Sequence, residues 1–213
     1  MTALSEAHNE YGLDYDVTFY STSEIYGSLD SKERVISDSS RAKTTGVGRG
    51  LYASQKLDAE LSLVSSIGDN GIAKVKIIRP FNVSGKHQRR GVVYEMVKSA
   101  FENGSIWFSD DTYRSFTSIG YASKTATDII LSDDVVVEKN ISENLTFSME
   151  EIARLTREEI GDDEIEIVRK EPDAAMRYRQ TLLCSTMGDK EVSRMREIIS
   201  DVISDYGNEV GHD

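Results

Sequence analysis

Apolar residues recur along this chain in two rhythms, a helical period and a strand-like run or alternation, and glycines, prolines and small polar clusters mark many of the changes between them. Thr2 to Tyr11 has helical composition and stops at Gly12, and Val17 to Ser21 reads as a strand. Ser28 to Thr45 is polar, with few apolar positions, and is expected to be an exposed loop, either simply solvated or lying over a ligand. A helix follows from Leu51 to Ile67, with Leu57, Leu61 and Val64 as its expected buried stripe; Gly68-Asp-Asn-Gly71 ends it. Val75 to Ile78 has the continuous apolar character of a central parallel strand and is stopped by Pro80, before a basic loop, Lys86 to Arg90.

The second half keeps alternating. A helix from Val92 to Asn103 ends at Gly104, two short strands lie within Ser105 to Ser118 around Asp110-Asp111, and a helix from Tyr121 to Leu131 turns Ala122, Ala126, Ile129 and Ile130 inward. Strands at Val135 to Glu138 and Leu145 to Phe147 precede Ser148, which with Glu151 forms a capping box for a helix that turns Ile152, Leu155 and Ile160 inward and ends at Gly161. Glu164 to Arg169 alternates as an edge strand, and Val192 to Tyr206 closes the chain as an amphipathic helix with Met195, Ile198, Ile199 and Val202 on its apolar side. Sequential β and α elements imply an α/β fold with parallel pairing and right-handed crossovers.

Charge changes this picture at one place. The net charge is -12, yet residues 1 to 132 hold 15 basic and 16 acidic side chains while residues 133 to 213 hold 10 and 21. A boundary near 132 therefore separates a core segment, 1–132, from an acidic segment, 133–213. Phosphate-backbone binding needs clustered Lys and Arg, so nucleic acid is not an expected partner. No apolar run reaches membrane-spanning length, and the start lacks the basic-then-apolar order of a signal peptide, so a cytoplasmic place is the expectation. Cys184 is the sole cysteine, and His8, His87 and His212 lie far apart, so neither an intramolecular disulfide nor a metal site is expected.

The candidate chemistry centres on Tyr52 and Lys56, four apart on one face of the expected helix. An ammonium beside a phenol favours the phenolate, which would make the pair a general acid/base; the same spacing also occurs on ordinary solvated helices. Ser21-Thr-Ser-Glu-Ile-Tyr-Gly27 brings hydroxyls and a carboxylate to the end of a strand, where α/β proteins place ligands. Together with Arg79-Pro-Phe-Asn82 and Tyr113-Arg-Ser-Phe-Thr117, these motifs in this order resemble the extended short-chain dehydrogenase/reductase family, the NAD-dependent epimerases, dehydratases and decarboxylases of nucleotide sugars.

The resemblance implies a truncated Rossmann-like parallel sheet with a small α+β substrate lobe. The strand, glycine-rich turn and helix that open a family member and hold the cofactor pyrophosphate are not found; Gly46-Val-Gly-Arg-Gly50 follows no expected strand and is read as an approach to the Tyr52 helix. By resemblance, Tyr52 is the acid/base, Lys56 holds the cofactor ribose, Thr22 bonds the reacting sugar oxygen, and Ser23 and Glu24 decide the subclass. Ser23 stands where dehydratases carry an acid, which weakens the dehydratase reading and favours a decarboxylase-like or an epimerase-like enzyme. Phe81 lies beside the nicotinamide, Asn82 beside the substrate, and Arg114, with Arg177 or Arg179, at the substrate diphosphate; Arg89 or Arg90 borders the same pocket or belongs to an ordinary surface loop. The implied partners are a nucleotide sugar, NAD or NADP held with a complementary half, and a Rossmann-half chain or a second copy of this chain. A non-catalytic remnant used as a structural or binding module is the alternative.

Overall fold

A computed structural model describes residues 2–26, 49–69, 71–109, 113–171 and 187–210. The expected loop Ser28 to Thr45, Asp110-Asp111, Arg177 and Arg179 lie outside the described residues. In chain order the elements are α1 (Thr2–Tyr11), β1 (Tyr15–Tyr20), a 3-10 turn (Ser23–Tyr26), α2 (Arg49–Ser65), β2 (Ile72–Pro80), β3 (Val83–Ser84), α3 (Val92–Asn103), β4 (Ser105–Ser109), β5 (Tyr113–Ser118), α4 (Ile119–Ile130), β6 (Val136–Ile141), β7 (Leu145–Ser148), α5 (Met149–Ile160), β8 (Glu166–Lys170) and α6 (Asp189–Val210). Each element expected from the pattern among these residues is present, with ends displaced by a few positions.

Contacts divide the chain into two units that interleave along it. One takes the described residues up to 26, those from 49 to 80, and 123–141; the other takes 81–122 and 142 onward. In the first unit the sheet order is β1-β2-β6, parallel throughout, with Val17 opposite Val75 and Ile77 opposite Glu138. β2 is the central strand and is buried from Val75 to Arg79, as its apolar run required. Val75 and Ile77 point to the face that α2 covers with Leu63 and Val64, joined by Ile67 just after the helix. The ammonium of Lys76, on the opposite face, is taken up by the Ser132 carbonyl and hydroxyl at 3.0 and 2.9 Å and by the Asp134 carbonyl, which satisfies a charge that burial would otherwise make costly.

The expected stripe on α2 is corrected. Leu61 is 56% exposed, and the positions that are buried are Ala53 and Glu60. Hydropathy placed leucines inward; a buried cation on β2, described below, selects a carboxylate for that face instead. The inward set expected on α4 also narrows: Ala126 is buried, whereas Ile130 is 41% exposed.

The second unit packs α3, α5 and α6 around Ile106, Phe108, Phe116, Leu145 and Phe147. All four residues expected on the apolar side of α6, Met195, Ile198, Ile199 and Val202, are buried there. β3 pairs in parallel with β5, and β5 in antiparallel with β7, while β4 and β8 form a separate parallel pair. Gly104 ends α3 and Gly161 ends α5 in the left-handed conformation that glycine adopts without a side-chain clash. The Ser148 hydroxyl accepts the Glu151 amide at 3.1 Å and the Glu151 carboxylate accepts the Ser148 amide at 2.7 Å, a reciprocal box at the start of α5.

One polar knot ties this unit together. Glu143 accepts the Ser118 amide at 2.6 Å and the Arg194 Nε at 3.0 Å, and Arg194 also donates to the Ser118 hydroxyl at 2.8 Å. Burial pushes the Glu143 carboxyl up, but the hydrogen bonds from Ser118 and the Arg194 guanidinium outweigh it and hold the group below the usual carboxylate range. A carboxyl depressed in the folded state contributes stability above its unfolded pKa and loses it as pH falls through the folded one. Glu143→Gln is therefore expected to lower the thermal midpoint at neutral pH, with the deficit shrinking below pH about 4; a deficit that does not change with pH would contradict the charge's role. Ser148→Ala should cost about 1 kcal/mol through loss of the cap, read as a lower urea midpoint at unchanged slope.

Candidate active site

Parallel strands of an α/β sheet present ligand-binding groups at their carboxyl ends. In the first unit β1 ends at Tyr20, and the chain passes through Ser21 and Thr22 into the short 3-10 turn that carries Ser23 and Glu24. The Thr22 hydroxyl accepts the Glu24 amide at 3.2 Å, a local turn of the kind short hydroxyl side chains form readily. Ser21 and Ser23 are buried; Thr22 and Glu24 are half-buried.

α2 packs against this turn. Lys56 reaches over β1, its ammonium 4.7 Å from the Phe19 ring centroid and donating to the Tyr20 carbonyl at 2.8 Å. The Tyr52 ring centroid lies 5.9 Å from the same ammonium, and Tyr52 is 45% exposed. Tyr52, Lys56, Thr22, Ser23 and Glu24 thus belong to one unit, where the carboxyl end of β1 meets the amino-terminal half of α2.

The remaining described candidates belong to the second unit. Phe81 is fully buried, and Asn82 has a backbone φ of 27°, uncommon for a residue with a side chain. Its amide nitrogen donates to the Ser115 carbonyl at 2.8 Å and its own carbonyl accepts the Thr117 amide at 3.3 Å, so the strained residue is held on β5 next to half-buried Arg114. Arg89 pairs with Asp205 at 2.6 Å, and the same carboxylate accepts the His87 amide at 2.9 Å. This pairing, chiefly the Arg89 hydrogen bond, holds Asp205 below its ordinary value and anchors the basic loop on α6.

The largest polar arrangement in the first unit went unread in the sequence. Arg79 is fully buried on β2 and donates through Nε and Nη2 to the two Glu60 carboxylate oxygens at 3.0 and 2.6 Å, a bidentate fork. Nη2 also reaches Glu138 on β6 at 2.6 Å, and Nη1 donates to the Tyr26 hydroxyl at 3.1 Å. That hydroxyl in turn donates to Asn140 at 2.8 Å. Burial alone would lower the Arg79 pKa; hydrogen bonding to Glu60, the nearby Tyr26 and the carboxylate charges more than offset it and hold the value above the ordinary one. Two signals in the sequence pointed here. An arginine inside a central apolar strand demands a buried anion, and Glu60 lies one further helical turn beyond Lys56.

A nicotinamide cofactor can be tested against these residues. The Ser21 hydroxyl is buried and has no hydrogen-bond partner among the described residues, and it stands at the strand end over which Lys56 is held. A hydroxyl acceptor and an ammonium donor at that end suit the amide and ribose hydroxyls of such a group. Among the described residues no cluster of His, Cys, Asp and Glu could hold a metal ion, and no helix is long and apolar enough to cross a membrane.

Residues 1–125 match the model of the NAD dependent epimerase/dehydratase family, and the chain belongs to that family. Solved structures of the same fold include UDP-glucose 4-epimerase of Thermus thermophilus in complex with NAD, at 20% identity and a TM-score of 0.72 over 97% of this chain and 68% of that one. UDP-glucuronic acid 4-epimerase of Bacillus cereus, a variant bound to a fluorinated UDP-sugar and NAD, aligns at 17% identity and 0.73 over 97% and 66%. A double mutant of dTDP-glucose 4,6-dehydratase of Streptomyces venezuelae with NAD bound aligns at 16% identity and 0.73 over 98% and 64%. The chain spans about two thirds of the length of these structures, and the likeness establishes a Rossmann-like α/β fold. No curated protein matches the chain in sequence.

Removing the central cation tests the energetics of the site. Arg79→Met leaves the Glu60 carboxylate buried without its counter-charge and should cost about 3–5 kcal/mol in urea unfolding, with the double variant Arg79→Met/Glu60→Leu recovering most of it. A single-variant cost below about 1 kcal/mol would show that the pair is solvated, as surface pairs are.

Proposed function

We propose that this chain supplies the acid/base and substrate-binding groups of an NAD-dependent nucleotide-sugar epimerase or decarboxylase, with a separate polypeptide completing the cofactor site. The observation that carries this reading is the convergence, within one unit, of the Tyr52/Lys56 face of α2 and the Thr22 to Glu24 turn at the carboxyl end of β1. NAD or NADP, when bound, supplies the hydride acceptor. Tyr52 takes the proton of a sugar hydroxyl as that carbon is oxidised, and its exposure leaves the phenol accessible to a bound substrate. Lys56, held over Phe19 by the Tyr20 carbonyl, binds ribose hydroxyls and keeps a positive charge beside the phenol.

Thr22 hydrogen-bonds the reacting oxygen. Glu24 is the group placed to move the second proton in a decarboxylase, and Ser23 has no acid to offer for elimination of water. Asn82 and Arg114 meet the nucleotide sugar, the guanidinium matching the diphosphate oxygens in a fork, and Arg177 or Arg179 is proposed as a second diphosphate contact. Phe81 is proposed as the residue that would border the nicotinamide ring when the cofactor is bound.

The test begins with capture of the complementary half from the native host on the tagged chain. In the assembled pair, Tyr52→Phe should lower the rate of cofactor reduction with UDP-glucuronic acid or UDP-glucose by about 10²–10⁴-fold, with calorimetric affinity for the sugar nucleotide unchanged. Normal turnover by Tyr52→Phe would refute the catalytic assignment. Sugar-nucleotide binding without any turnover in the wild-type pair would make the chain a binding module.

A further inference from the structure

The geometry points to Glu60, Arg79 and Tyr26 as positioning residues that set where Lys56, Tyr52 and the Thr22 to Glu24 turn stand. The inference rests on the reading of Tyr52 and Lys56 as working groups, but its evidence is separate. A helix lying on a sheet is free to rotate about its own axis until side chains choose a phase. α2 lays Leu63 and Val64 on the sheet near its carboxyl end, but toward Lys56 and Tyr52 its apolar positions are weak: Leu51 is half-exposed and Leu57 only half-buried. Phase is therefore not fixed by hydrophobic packing alone.

The bidentate fork from Arg79 to Glu60 supplies what the stripe lacks, because two parallel hydrogen bonds fix direction as well as distance. At about 100° per residue, Lys56 stands roughly 40° from Glu60 around the helix and Tyr52 roughly 80°, both on the same flank. Pulling Glu60 onto β2 turns that flank toward β1, where the Lys56 ammonium meets the Tyr20 carbonyl. The same guanidinium reaches the 3-10 turn through Tyr26, two residues after Glu24, and Tyr26 is tied in turn to Asn140 on β6. One buried cation thus holds both α2 and the 3-10 turn, each carrying part of the candidate site. Glu138, the second carboxylate on Arg79 among the described residues, anchors the guanidinium to β6.

The experiment follows the Lys56 ammonium by nitrogen-15 NMR of the full chain, its resonance assigned by loss in Lys56→Met. Glu60→Gln keeps the size of the side chain and removes the charge; Val75→Ala destabilises the same unit without touching the network. Under conditions where both variants are folded, Glu60→Gln should speed exchange of the Lys56 ammonium protons about tenfold, the scale of one lost hydrogen bond to a charged group, while Val75→Ala leaves it unchanged. An unchanged Lys56 signal in folded Glu60→Gln, or equal effects of the two variants, overturns the proposal. Should Glu60→Gln not fold, Tyr26→Phe, which removes one hydroxyl, is read at the Glu24 amide: about tenfold faster exchange supports the proposal and an unchanged rate overturns it. A Lys56 response as expected, together with normal turnover by Tyr52→Phe in the assembled pair, would uphold positioning while refuting the reaction assigned to the positioned groups.

Discussion

A guanidinium removed from water inside a parallel sheet is the constraint on which the first unit depends. Arg79 occupies a position on β2 where an apolar residue would pack at no electrostatic cost, and its burial is tolerable because Glu60 and Glu138 surround it at hydrogen-bond distance. Desolvation of the three charges consumes much of their attraction, so the arrangement is a weak source of net stability. What it supplies is direction: α2, the 3-10 turn and β6 each contribute a group to one planar cation carried on β2.

The second unit solves a similar problem with less burial. Arg194 and Glu143 bind the end of β5 to α6 through Ser118, and Arg89 and Asp205 bind the basic loop to the same helix. Around these ties the core is conventional, with the apolar faces of α3, α5 and α6 closing on Phe108, Phe116 and Phe147. Asn82 shows how rigid that frame is. A non-glycine residue at positive φ persists only where its surroundings hold it, and here two hydrogen bonds to β5 do so.

The two units divide the chemistry. Proton-handling candidates and Lys56 lie in the first, on α2 and at the 3-10 turn that follows β1; Phe81, Asn82 and Arg114 lie in the second. Family membership and the shared fold explain why such groups coexist in one chain.

The sequence by itself determined the elements. Helices α3, α5 and α6 were legible because their apolar period and their caps agree, and the four motif segments were legible because their spacing survives without reference to contacts. Tertiary structure alone decided three matters. It assigned residues 123–141 to the same unit as β1 and β2, since strand pairing joins positions that a reading in chain order sees as remote. It turned α2 so that Glu60 faces inward and Leu61 outward, because a buried charge outranks a leucine stripe in choosing phase. It also placed Tyr26 on Arg79 and Asn140 on Tyr26, hydrogen bonds across 53 and 114 residues of chain that no local pattern encodes. Periodicity records what each segment buries; only the folded chain records which charge each segment must meet.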